Sequence, residues 1–478
     1  MGRPRTEHRP RRRLQLVRCS PAARAPVGGK LRSLGLIASC AALFLTVTEA
    51  SANGRFPAAN RIVLSPSDPN LVIVRATYGI LPSPDHGTTW RFLCEDALGL
   101  PQSSSSDPAL ALTQTNTLVA GLPIPGGLQV SADLGCNWSC AAGAPASETI
   151  ADIAIRPDGH SLVALTSTVL DDAGTGRHSQ VLQSSDDGAH WTPLGVALDP
   201  SLLVTTIDVA PSNVHRLYVS ATRGIGPTRT AGLDVSDDDG ATWIERPIPV
   251  EPGYESSAYI GGVDPFDADR VYVRSVRSSA GPQPSHLLVT TDAGRSFRGV
   301  LDLQDPMLGF ALSPDGSKVY AGSVADGLFA GDRATTTFVS RSPIHVQCLA
   351  TIGTELWACS DRPSGFLAGV STDDGATFTP KLHIDSVQAP VPCGVTGQTS
   401  FACWADANAV QCSGETFRRF CANFGCQLDS GLTAGGSAAA GASPSCRCTF
   451  ARARGATAWE LGALGALVVV GQRRRSRR

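Results

Sequence analysis

The chain has 478 residues, 40 Lys and Arg against 42 Asp and Glu, a formal net charge of -2 and 42% apolar residues. That length exceeds one ordinary compact domain and suits a repeat architecture with a continuous core, and the apolar content predicts a folded body. Arginines crowd both ends while the middle is acidic, and the basic runs Arg11–Arg13 and Arg473–Arg478 fall in segments that read as processing signals. A nucleic-acid partner is therefore not expected.

The N-terminal region combines a long basic stretch, the 14-residue apolar run LGLIASCAALFLTV (Leu34–Val47) and the small residues Ala50-Ser51-Ala52. This order is what the export machinery and signal peptidase recognise, so residues 1–52 are predicted to be a signal peptide cleaved after Ala52. Fourteen apolar residues fall short of the ~20 that span a bilayer, which disfavours a membrane anchor.

The body, residues 53–426, carries one pattern six times: SPDHGTTW (Ser83–Trp90), SADLGCNW (Ser131–Trp138), SSDDGAHW (Ser184–Trp191), SDDDGATW (Ser236–Trp243), TTDAGRSF (Thr290–Phe297) and STDDGATF (Ser371–Phe378). The aspartates at 85, 133, 186, 238, 292 and 373 are separated by 48, 53, 52, 54 and 81 residues. The long gap holds a degenerate copy, GDRATTTF (Gly331–Phe338), and another, VQCSGETF (Val410–Phe417), follows the sixth. A period near 50 points to propeller blades. In the fourth unit TTIDVAPS, RLYVSA, AGLDVS and TWIERPI read as four strands, with the motif in the turn between the third and fourth.

The pattern S/T-x-D-x-G-x-T/S/N/H-W/F resembles the Asp-box, or BNR, repeat of sialidases, sortilin-type receptors and photosystem II assembly-factor-like propellers. The expected fold is all-β, a seven- or eight-bladed β-propeller of four-stranded blades. Each Asp is expected to staple its turn by accepting hydrogen bonds from turn amides. The glycines (Gly87, Gly135, Gly188, Gly240, Gly294, Gly375) should supply a positive φ, and the aromatics (Trp90, Trp138, Trp191, Trp243, Phe297, Phe378) should pack between blades. Asp237 and Asp239 read as solvated neighbours of the Asp238 staple. A Ca²⁺ loop is rejected, because counting from Asp237 puts Ile248 where a bidentate carboxylate is required.

Ten of the 14 cysteines fall in the body, an even number that suits disulfides in an exported chain. Cys348 with Cys359, and Cys393 with Cys403, each bracket a turn between strand-like runs and are predicted to bridge hairpins. Cys94, Cys136, Cys140, Cys412, Cys421 and Cys426 have no pairing legible from spacing. No metal site is expected, since no C-x-x-C pair or histidine pair at ligand spacing occurs.

No Walker A loop, H-E-x-x-H helix or G-x-S-x-G elbow is present in the body. No cofactor is expected. The second-to-third strand loops and the blade connections should gather on the face opposite the aspartate turns, where propellers bind ligands. Candidate binding residues there are Arg75 and Tyr78, Arg223 and Arg229, Arg274 and Arg277, Glu251 and Tyr254, and Arg362. The sialidase resemblance implies an arginine grip on a substrate carboxylate with a Tyr/Glu nucleophile, but no catalytic residue is assigned from it.

Residues 427–445 form a Gly/Ala/Ser-rich linker. Residues 446–478 contain Cys446, Cys448, the apolar stretch Ala458–Gly471 and an arginine cluster. This order resembles the myxobacterial-type sorting signal MYXO-CTERM, which implies membrane contact through the tail, cleavage by a processing protease and display at the cell surface. The reading that results is an exported propeller that binds protein or glycan, with a sialidase-like glycoside hydrolase as the alternative.

Overall fold

The computed structural model describes residues 58–401, apart from residues 99, 101–106, 124–125, 146, 171–175, 225–227, 250–254, 279–283 and 394–399. Seven four-stranded antiparallel meanders follow one another along the chain. Blade 1 is β1–β4 (Ala59–Leu64, Val72–Ala76, Gly79–Ser83, Trp90–Cys94) and blade 2 is β5–β8 (Ala109–Leu112, Leu118–Leu122, Gly127–Ser131, Asn137–Cys140). Blade 3 is β9–β12 (Thr149–Ile155, Leu162–Val169, Arg177–Ser184, Thr192–Leu194) and blade 4 is β13–β16 (Leu202–Ala210, Asn213–Arg223, Thr230–Ser236, Ile244–Ile248). Blade 5 is β17–β20 (Glu255–Val263, Val271–Ser278, Ser285–Thr290, Arg298–Leu303) and blade 6 is β21–β24 (Met307–Leu312, Lys318–Ser323, Gly327–Asp332, Phe338–Ser342). Blade 7 is β25–β28 (Cys348–Ile352, Glu355–Cys359, Ala368–Ser371, Thr379–Leu382).

The first strands β1, β5, β9, β13, β17, β21 and β25 touch in that order, and β25 returns to β1. The ring is therefore closed, with first strands innermost and fourth strands at the rim. The protein is a seven-bladed β-propeller with almost no helix. GDRATTTF forms the outer turn of blade 6, between β23 and β24. Of the two expected blade counts seven holds for the described residues, and VQCSGETF at 410–417 lies outside them.

Among the described residues no eighth meander follows blade 7. It runs along the rim as β29 (Val387–Pro390), parallel to β4, and then as β30 (Ser400–Phe401), parallel to β8. Cys393, expected to pair with Cys403, is bonded instead to Cys136 beside β8, 257 residues away. The hairpin expectation failed because Cys393 leaves its strand toward blade 2 rather than turning back. Cys348–Cys359 does bridge the β25–β26 hairpin, where the two residues are direct partners. Cys94 and Cys140 are disulfide-bonded too, and Cys403, Cys412, Cys421 and Cys426 lie outside the described residues.

The aspartate turns share one wiring. In blade 1 the Thr89 N–H and hydroxyl donate to the two Asp85 oxygens at 2.8 and 2.7 Å, the Ser83 hydroxyl donates to Asp85 at 2.9 Å, and the Gly87 N–H donates to Ser83 Oγ at 2.8 Å. The turns at Asp133, Asp186, Asp238, Asp292 and Asp373 repeat it, with Asn137 and His190 standing in for the hydroxyl residue in blades 2 and 3. The positive φ is not confined to glycine: the residue before it (His86, Leu134, Asp187, Asp239, Ala293, Asp374) sits near 55°, and the glycine itself follows at 77–92°. At Asp292 the Ser296 hydroxyl and N–H hold the carboxyl down to about 2.

Two expectations about the fourth turn need correction. Asp237 and Asp239 are not merely solvated: Asp237 pairs with Arg216, and Asp239 pairs with Arg156 of blade 3 at 2.8 Å and with His215. Trp243 is only half-buried, whereas Trp90, Trp138 and Trp191 are 0–2% exposed. The inward packing holds in kind, since Trp90 Nε1 donates to the Lys381 carbonyl of blade 7 at 2.8 Å. Trp243 makes one long bond to the Val196 carbonyl at 3.4 Å and packs only partly buried against the core shared by blades 3 and 4.

Candidate functional site

In an up-and-down meander the first-to-second and third-to-fourth turns share one face, so the second-to-third loops and blade connections share the other. The aspartate turns define the first, and the predicted ligand residues belong to the second, here termed the loop face. Three groups of chemistry-bearing side chains are found on that face or along the axis.

The first is axial and structural. Arg75 on β2, a predicted ligand residue, donates through Nε to Asn60 at 2.8 Å and through Nη1 to the Pro108 carbonyl at the start of blade 2, at 2.5 Å. Arg274 on β18 repeats the device toward blade 6, donating to the Met307 carbonyl with its guanidinium 4.7 Å over the Tyr259 ring. Asp152 on β9 accepts from Ile207 N–H of blade 4 at 3.2 Å, and Asp208 on β13 accepts from Val263 N–H of blade 5 at 3.2 Å. Each side chain ties its blade to the next. Burial pushes Asp208 up to about 7, with neighbouring Asp152 adding repulsion, and burial raises Asp152 as well. Arg61 reaches Asp152 at 3.9 Å, bringing blades 1 and 3 together at the axis.

The second group lies on blade 4. Arg223 pairs with Glu245 at 2.8 Å and Asp199 at 3.3 Å, and donates to the Ser201 hydroxyl. Asp234 is directly opposite Glu245 on the neighbouring strand, which puts both carboxyls on one sheet face. Asp234 is 4% exposed, its Oδ2 has no hydrogen-bond partner, and burial followed by repulsion from Glu245 pushes it up to about 7. Sequence reasoning found Arg223 but missed Asp234; the only signal was an acidic residue in the otherwise apolar strand AGLDVS.

The third group is a cleft of about 350 Å³ at blade 7. Its floor is Phe366, Leu367 and Ile384, which are 2–4% exposed, and its rim is the exposed trio Arg362, His383 and Asp385. Asp361 caps the short 3₁₀ turn that carries Arg362 and accepts from Ser364 N–H at 3.3 Å, Gly365 ends it at φ 88°, and His345 braces Asp361 at 2.9 Å. Phe366 stacks on Phe378 of the aspartate turn, with ring centroids 5.8 Å apart. A rigid apolar floor under a charged rim suits a ligand with one apolar face and several polar groups.

No protein-family model matches the chain, and no curated protein matches it. Among solved structures the chain is similar to an ancestral GH74 enzyme (16% identity, TM-score 0.46, 67% of this chain and 44% of that one). It is also similar to Kuenenia stuttgartiensis hydrazine synthase (13%, 0.46, 68% and 98%) and to the GH74 xyloglucanase from Xanthomonas campestris (13%, 0.32, 74% and 71%). The chain thus spans less than half the length of the first of these.

The predicted ligand residues that are described are spread over several blades. Arg75, Arg223 and Arg362 sit on blades 1, 4 and 7, and the partners of Arg75 and Arg223 differ. Tyr78 is half-buried against the blade 1 core, which raises its hydroxyl pKa, and Arg229 lies just before β15. Glu251, Tyr254 and the Arg277 side chain lie outside the described residues. Among those described, no group of three His, Cys, Asp or Glu side chains is placed to hold a metal, and no helix is long and apolar enough to cross a membrane. The apolar stretch 458–471 is outside them. Sequence reasoning named Arg362 but missed His383 and Asp385, which follow the last strand of blade 7 where no repeat pattern marks them.

Proposed function

We propose that this protein is an exported cell-surface propeller that binds a glycan or a protein segment on its loop face, without catalysing a reaction. The observation that carries the reading is the blade 7 cleft, whose apolar floor and Arg362, His383 and Asp385 rim match the amphipathic surface of a sugar ring or a short loop. The body disulfides support export, in keeping with the leader and the MYXO-CTERM-type tail expected from the sequence. Screening the disulfide-bonded body on a glycan array tests the reading: binding should appear and fall at least about tenfold in Arg362→Ala, as expected for loss of a charge-assisted contact. Binding unaffected by Arg362→Ala and His383→Ala would move the site elsewhere.

One observation favours a glycoside hydrolase as the second reading. Asp234, uncharged below about 7, faces Glu245, whose charge Arg223 neutralises, and such a split pair is what acid/base hydrolysis uses. Turnover of an aryl glycoside abolished by Asp234→Asn would establish that reading over the first.

A further inference from the structure

The seam between blades 7 and 1 differs from the five seams that join blades 2 to 7 in turn. The four strands of every blade are contiguous in sequence, and β29 and β30 add to the sheets of blades 1 and 2 only as fifth strands at the rim. Apolar clusters join blades 2 and 3, 3 and 4, 4 and 5, 5 and 6, and 6 and 7 two at a time. Blades 7, 1 and 2 instead share one cluster, and its remaining members are Ile384, Val387, Val391 and Cys393 from the segment after blade 7. Val387 is fully buried, and Val391 and Cys393 are 8% and 6% exposed. The segment is therefore part of the core that spans the seam.

We propose that this segment is the clasp of the ring: β29, its continuation to Cys393, and β30 hold the propeller shut between blades 7 and 1, and the Cys136–Cys393 bond locks them. The segment leaves blade 7, pairs in parallel with the outer strand of blade 1 from Trp90 to Phe92, and is anchored in blade 2. Opening the seam requires blade 7 to move away from blade 1, and the anchor in blade 2 forbids that unless β29 is stripped from β4. Polar contacts across the seam include Trp90 to the Lys381 carbonyl, His86 to Glu355 at 3.0 Å and Lys381 to His86 at 3.4 Å. The clasp begins at the cleft, since His383, Ile384 and Asp385, which line it, precede Val387 with only Ser386 between.

Amide hydrogen exchange on the full exported chain tests the clasp without reference to any ligand. In Cys136→Ala/Cys393→Ala, exchange in β1, β4 and β25 should rise by about tenfold or more while β13–β16 of blade 4 stay unchanged, the signature of a local opening. Val387→Asp, which keeps the disulfide, should raise exchange at the same three strands, and it decides the matter if the double variant fails to fold. Unchanged exchange at β1 and β25, or a rise spread evenly over all seven blades, would overturn the proposal.

Discussion

Blades 1 and 4 follow one four-strand plan and end in opposite ways. The outer strand of blade 1 is WRFLC, buried at four of five positions because β29 lies over it. The outer strand of blade 4 is IERPI, exposed at three of five positions, with Ile244 50% exposed and no further strand beside it. An open sheet edge invites pairing with another chain, and Glu, Arg and Pro blunt it. Blade 1 carries no such protection beyond Arg91. In these two blades the composition of the fourth strand follows the rim beside it, whereas β8 of blade 2, NWSC, stays exposed at three of four positions although β30 pairs with it.

The largest test of that contrast is the paired removal of the turn aromatics. Trp90→Ala should cost about 3–5 kcal/mol, as for a fully buried aromatic, whereas Trp243→Ala should cost only about 1–2 kcal/mol because half of its burial is absent. Equal losses in thermal or denaturant unfolding would break the comparison. The disulfides come next. Removing Cys136–Cys393 should destabilise by about 2–4 kcal/mol and by more than removing Cys348–Cys359, since the first closes a span of 257 residues and the second one of 11. A reversed order would mean that the hairpin, and not the rim, is the stressed part.

Acidity sharpens the contrast between axis and turn face. Asp208 has a folded pKa of about 7, above the ~3.9 of an unfolded Asp, so its contribution is fully present below about pH 4 and is lost as pH rises through about 7. Asp208→Asn should flatten that part of the stability curve. Asp292 has the opposite sign: depressed to about 2, its contribution is present above about pH 4 and is lost as pH falls through about 2. Asp292→Asn should therefore flatten only the acid limb, and a shift of the pH 4–7 region in that variant would contradict the assignment. The smallest effect is expected at Asp239→Asn, where weakening of a partly exposed pair to Arg156 at the blade surface should change stability by about 1 kcal/mol.

Much of the architecture was legible because each blade repeats a local signal: Ser, Asp, Gly and the following hydroxyl all act within one turn, so their spacing is the structure. Trp243 was misjudged because its burial depends on packing against the core shared by blades 3 and 4, which no motif reports. Arg75 resembled a ligand residue because sequence shows a charge near a loop but not the Pro108 carbonyl that satisfies it. Cys393 was assigned to a near neighbour because its partner in blade 2 is distant in sequence and close only once the ring has closed. Asp234 and Asp385, which shape the two candidate sites, belong to no repeated pattern at all.

The position of Cys393 also sets how mechanical force enters the molecule. A chain pulled from beyond residue 393, as a surface tether would pull it, delivers tension through the sulfur–sulfur bond to Cys136 in blade 2. That bond gives the load a path into blade 2 that bypasses the hydrogen bonds joining β28 to β27, whose unzipping a pull on the last strand of blade 7 alone would begin.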